Sequence, residues 1–110
     1  MKVLVLVDDL LFRSRIEAHL KRLEAPYAVA SPCSAGEALV REKPTHVVVN
    51  LAEANTDALA ALKTSDARVL GFGPHVDRER FLGARQAGAR VVANSMLEHR
   101  LEPWLARGEK

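Results

Sequence analysis

Val3-Leu4-Val5-Leu6-Val7-Asp8-Asp9 is the stretch that decides the fold. A run of apolar residues with no polar alternation suits a strand covered on both faces, the usual state of a parallel sheet between helices. Two aspartates end the run at once and no small-residue cleavage site follows, so the segment reads as a strand and not as a signal peptide. The period then changes. Phe12, Ile16, Leu20 and Leu23 share one side of a helix, and Arg13, Glu17 and Lys21 line another at four-residue spacing.

The same alternation continues to the end of the chain. Tyr27 to Ala30 is a second strand, and Ser34 with Glu37 has the spacing of a capping box that opens a helix through about Glu42. Lys43-Pro44 stops that helix, and His46 to Val49 is a third strand that delivers Asn50 to its carboxyl end. A weaker helical pattern covers Thr56 to Leu62. Arg68 to Phe72 is a fourth strand, with Gly73-Pro74-His75 as the turn beyond it. Asp77 caps a helix to Ala87 with Phe81 and Ala84 inward, Gly88 ends it, and Arg90 to Ala93 is a fifth strand. Ser95 and Glu98 suggest another capping box before a last helix that turns Leu97, Leu101, Trp104 and Leu105 inward. Pro103 lacks an amide proton, so that helix is expected to bend or restart there.

Alternating short strands and helices predict a doubly wound α/β sandwich. A chain of 110 residues, 48% hydrophobic and 27% charged, suits a single domain over 1–110. No segment reaches the roughly 18 apolar residues that span a bilayer, and the lone Cys33 permits no internal disulfide, which points to the cytoplasm. Sixteen Lys and Arg against 14 Asp and Glu leave a formal charge of +2, too small an excess to indicate nucleic acid. Gly71-Phe72-Gly73 lacks the third glycine of a dinucleotide fingerprint and follows the wrong strand. The four histidines show no zinc spacing.

In an open parallel sheet the functional side chains gather beyond the strands' carboxyl ends. Asp8, Asp9, Asn50, Gly73, His75, Asn94 and Ser95 are therefore expected around one crevice. Paired carboxylates suit a hard cation such as Mg²⁺. They serve equally as acceptors that fix neighbouring loops.

Here the chain resembles the bacterial response-regulator receiver family, including its short stand-alone chemotaxis receiver. Val5-Leu6-Val7-Asp8-Asp9 looks like the family's first strand and acidic pair, Arg15-Ile16 with Leu20 like its first helix, and Gln86-Ala87-Gly88-Ala89 like its turn into strand five. The resemblance implies a flavodoxin-like three-layer sandwich with strand order 2-1-3-4-5. It also implies that Asn50 stands where receivers carry the phosphate-accepting aspartate, Gly73 where they carry a serine or threonine, and Ser95 near their lysine. Val92 falls at about the family's rotating aromatic position. Asp8 and Asp9 match its Mg²⁺-holding acids, with weak Mg²⁺ binding as the only cofactor expectation.

An asparagine side chain has no carboxylate to attack phosphorus, glycine has no hydroxyl, and serine lacks lysine's charge. The expectation is a non-enzymatic pseudo-receiver that acts through a protein partner or through self-association. The alternative is a module that binds a small ligand or a divalent ion. Arg78, Arg85, Arg100 and Arg107 form candidate interface stripes, and Trp104 is either core or, if Pro103 turns the chain outward, an interface anchor.

Overall fold

The computed structural model describes residues 1–74 and 89–107. Within them the order is β1 (Val3–Leu6), α1 (Leu10–Arg22), β2 (Tyr27–Ala30), α2 (Ala35–Glu42), β3 (His46–Asn50), α3 (Thr56–Thr64), β4 (Arg68–Gly73), β5 (Arg90–Ala93) and α4 (Leu97–Arg107). All strand pairings are parallel in one sheet of order β2-β1-β3-β4-β5. That is the doubly wound, flavodoxin-like arrangement expected above. His75, Phe81, Ala84, Gly88 and the helix expected between Asp77 and Ala87 lie outside the described residues, as do the candidate interface residues Arg78 and Arg85.

The two faces of the sheet are sorted by the twofold period of the strands. Val3, Val5, Val7, Val48, Leu70 and Phe72 meet Ile16 and Leu20 of α1 and Leu97, Leu101, Trp104 and Leu105 of α4. Leu4, Leu6, Val47, Val49 and Val69 meet α2 and α3 largely through Ala35, Ala38, Ala58 and Leu62. Small residues let the second pair of helices lie close, while the first pair fills its space with large side chains. Gly71 belongs to the same fit: a Cβ there would come within 2.9 Å of the buried Leu51 side chain. Its role is close packing beneath the residue that follows Asn50, not phosphate binding.

Trp104 corrects the interface expectation. α4 runs without a break through Pro103, which is exposed, and the next residue turns inward to only 4% exposure. Its ring meets His46 edge-on, with centroids 5.2 Å apart and planes at 87°. Trp104 is core. Arg100 is exposed on α4, whereas the side chain of Arg107 lies outside the described residues.

Two capping boxes are also corrected. Ser34 makes no side-chain cap, because a 3-10 turn over Pro32–Ser34 has already started and Ser31 accepts from the Cys33 amide at 3.3 Å. Pro32 suits the first position of that turn, its φ being preset and its missing amide not needed there. Ser95 lies inside a second 3-10 turn, Asn94–Met96, ahead of α4.

α1 and α4 are also joined by a polar seam. His19 Nδ1 lies 2.5 Å from Glu102 Oε2 and its Nε2 3.2 Å from Glu98 Oε1, with Arg15 Nη1 3.5 Å from Glu98 and Arg22 paired to Glu102. This seam sits above the core shared by the two helices. It holds their outer edges in register.

His46 is buried to 8% exposure at the start of β3, its Nδ1 2.8 Å from Thr45 Oγ1. Burial, and behind it the Arg68 guanidinium and the amino terminus, hold its pKa below the ordinary 6.5. The folded protein therefore keeps His46 neutral where the unfolded chain protonates it. Stability is retained above the unfolded value and falls as pH drops from about 6.5 toward the depressed folded value. Urea midpoints measured between about pH 5 and 8 should decline on the acid side, and His46→Phe should flatten that decline. An unchanged slope in the variant would remove His46 from the account.

Candidate functional site

Parallel strands carry the expected crevice residues to one edge of the sheet. Leu6 is level with Val49, Asn50 with Phe72 and Gly73 with Ala93, so the residues that follow β1, β3, β4 and β5 emerge together. Asn50 closes β3 at 5% exposure, and its Oδ1 accepts from the Ala52 amide at 3.1 Å. That bond starts the turn out of the strand. Gly73 is the buried last residue of β4, and Pro74 beyond it is exposed. Asn94 is half-buried, and its Oδ1 is buried with no hydrogen-bond partner among the described residues, whereas Ser95 is exposed.

The acidic pair is held by specific bonds. Asp9 is the N-cap of α1: its Oδ1 accepts from the amides of Leu11 at 2.9 Å and Phe12 at 3.2 Å. A carboxylate there satisfies two amides that have no partner within the helix and faces the positive end of its dipole. Asp8 accepts from the Ser31 hydroxyl at 3.0 Å, which ties β1 to the loop after β2. Phe12 reaches across to Phe72 with ring centroids 5.1 Å apart, walling the crevice between α1 and β4.

Glu53 was not anticipated. Its Oε1 accepts from the Asp8 amide and its Oε2 from the Asp9 amide, each at 2.8 Å. One carboxylate thus spans both amides and joins the loop after β3 to the loop after β1. These are short, charge-assisted bonds with a fork-like geometry. Nothing local in Leu51-Ala52-Glu53-Ala54 signals the contact, since its partners lie 45 and 44 residues away.

The carboxylates near the crevice are engaged in hydrogen bonds. Asp9 is committed to two amides, Asp8 to a hydroxyl and Glu53 to two more amides. Among the described residues no group of three or more His, Cys, Asp or Glu side chains converges in a way that would hold a metal ion. Mg²⁺ is commonly held through one or two carboxylates with water completing its shell, and the bonds above use one oxygen each of Asp8 and Asp9.

Apolar side chains stand at the same edge. Leu10 and Leu11, in the first turn of α1, are 66% and 58% exposed, and Met96, in the turn before α4, is 38% exposed. α1 and α4 lie on the same face of the sheet. The polar crevice therefore has an apolar border.

No family model matches the chain, and none of the curated proteins is similar to it in sequence. Solved structures are similar in shape. A response-regulator signal receiver domain from Bermanella marisrubri superposes with TM-score 0.80 at 20% identity, over 96% of this chain and 95% of that one. The receiver domain of a sensor histidine kinase from Pseudomonas aeruginosa, with a magnesium ion coordinated in its active-site cleft, gives 0.79 at 15% identity over 96% and 94%. The BeF3-activated N-terminal receiver domain of RstA from Klebsiella pneumoniae gives 0.72 at 19% over 94% and 97%. Identities this low establish the fold, and the fold is that of signal receiver domains.

Proposed function

We propose that this chain is a receiver-like signalling module that works by contact with a protein partner or with a second copy of itself, and that it neither accepts a phosphoryl group nor acts as an enzyme. The observation that carries the reading is the amide of Asn50 at the carboxyl end of β3, beside an acidic pair whose backbone is clamped by Glu53. An amide lacks the lone-pair charge and the leaving chemistry needed to form and release an acyl phosphate. Gly73 and Ser95 supply neither a hydroxyl from β4 nor a cation from the loop after β5.

The contact surface that best supports the reading is the exposed border of Leu10, Leu11 and Met96, with Arg100 as a charged neighbour on α4. Exposed leucines grouped beside a polar crevice fit an apolar anchor point rather than a solvated helix face. Mg²⁺ enters only as a weakly bound ion at Asp8 and Asp9, each of which already has one carboxylate oxygen in hydrogen bonds. The modest net charge gives nucleic acid no part in this function. No helix among the described residues is long and apolar enough to cross a membrane.

Incubation with acetyl phosphate and Mg²⁺, followed by intact-mass measurement, should give no stoichiometric adduct. Asn50→Asp should remain unlabelled as well, because restoring the nucleophile restores neither hydroxyl nor lysine. Rapid labelling of the wild type sinks the proposal; labelling of the variant alone sinks the part that assigns a role to Gly73 and Ser95.

A further inference from the structure

We infer that His46 is a proton-operated latch on α4: when its Nε2 takes up a proton, the last turn of that helix, carrying Trp104, comes off the sheet while the strands stay paired. The donors and acceptors around the ring fix where the proton must go. The Thr45 hydroxyl has one hydrogen, which it donates to Lys2 O at 3.1 Å, and its oxygen already accepts from the Lys2 amide at 3.0 Å. Its contact with His46 Nδ1 at 2.8 Å is therefore a bond in which the ring donates and the hydroxyl accepts. Nδ1 carries the hydrogen of the neutral imidazole, and Nε2 carries the lone pair. Nε2 is buried and has no hydrogen-bond partner among the described residues.

A proton added at Nε2 finds no acceptor. Arg68 stands level with His46 on the neighbouring strand and on the same face of the sheet, and its Nη1 is likewise buried without a partner among the described residues. The charges that act on the imidazole are that guanidinium and the amino terminus, both positive. The acids on the adjoining elements are engaged elsewhere or face water: Glu42 pairs with Lys2 and Arg41, Glu102 with His19 and Arg22, and Glu24 and Asp66 are exposed in the loops before β2 and β4. An imidazolium buried beside a guanidinium with no acceptor has to reach water. β1 and β4 cannot give way, because parallel backbone ladders hold them to β3. α4 is held to the sheet by side chains, and its Trp104 is the lid that meets the ring edge-on. The helix is also weakest there, since Pro103 has no amide to offer the His99 carbonyl one turn back. Water therefore reaches Nε2 by displacement of Trp104.

The inference is independent of the reading given to the crevice. It is tested on the isotope-labelled full chain, without denaturant, by amide hydrogen exchange and fluorescence across the acid range. Because opening takes up one proton, exchange at the Leu105 and Ala106 amides, corrected for the intrinsic rate, should rise about tenfold per pH unit below about 6.5 until the folded ring itself titrates. The Val48 and Leu70 amides should exchange more slowly throughout. Trp104 is the only tryptophan in the chain. Its emission should move to the red and become open to acrylamide in step with the His46 ring resonances, while far-ultraviolet dichroism is unchanged. His46→Phe should hold the emission constant with pH, and Arg68→Gln should move the midpoint to higher pH by removing the stronger of the two repulsions. The inference is overturned by exchange at Leu105 and Ala106 no faster than at Val48 and Leu70, by exchange there that is indifferent to pH, or by titration of His46 with no change in Trp104 emission.

Discussion

Trp104→Ala should lower the unfolding free energy by about 3 to 5 kcal/mol, the range for truncating a buried large aromatic side chain. Trp104 belongs to the core of α1, α4 and one face of the sheet, at 4% exposure, alongside Leu97, Leu101 and Leu105. Removing the indole leaves a void that the strands cannot close, because their valines and leucines are fixed by parallel pairing on both sides. It also uncovers His46, whose ring it meets edge-on. A domain of this size has about 5 to 15 kcal/mol in total, so the variant should lie near the limit of folding at ambient temperature. Urea unfolding followed by far-ultraviolet dichroism reads the loss, and Trp104→Phe should recover part of it. If Trp104 were an interface anchor, the isolated protein would be nearly indifferent to the change. A loss under 1 kcal/mol would contradict the buried position.

How much of this was legible in the sequence depended on whether the cause was local. Val3 to Val7 and Val47 to Val49 are legible because a strand covered on both faces has to be apolar throughout. The gathering of Asp8, Asp9, Asn50, Gly73 and Asn94 at one edge followed from parallel pairing alone. The spacing of Ser34 to Glu37 imitates a capping box, while Ser31 and Pro32 start the turn earlier. Ser31 is held there by its hydroxyl bond to Asp8, a contact 23 residues distant. The sequence leaves Trp104 open between core and surface because a proline inside a helical pattern predicts a bend, whereas burial of an indole outweighs the one hydrogen bond that Pro103 removes. His46 and Glu53 carried no signal. A histidine at a strand start and a glutamate in a turn look solvated until the opposing element is in place.

Glu53→Ala should destabilise the protein by about 1 to 2 kcal/mol, comparable to loss of a helix N-cap, and should speed hydrogen exchange at the Asp8 and Asp9 amides specifically. The two bonds at 2.8 Å are the link by which the loop after β3 holds the loop after β1. Their strength has two sources. The carboxylate accepts twice, and it does so near the start of α1, where the helix favours negative charge. Against them stands repulsion from the carboxylates of Asp8 and Asp9 in the loop that Glu53 clamps. Salt should therefore change the effect only modestly, since it screens the attraction and the repulsion together. Glu53→Gln should be intermediate, because a carboxamide has one oxygen for two donors and turns its own NH₂ toward the other amide. Asp9→Ala should be distinguishable from both: it removes the cap on Leu11 and Phe12 and so frays the first turn of α1, including the exposed Leu10 and Leu11. If exchange at Asp8 and Asp9 is the same in wild type and Glu53→Ala, the clamp does not persist in solution and the crevice is open to a cation or an anion.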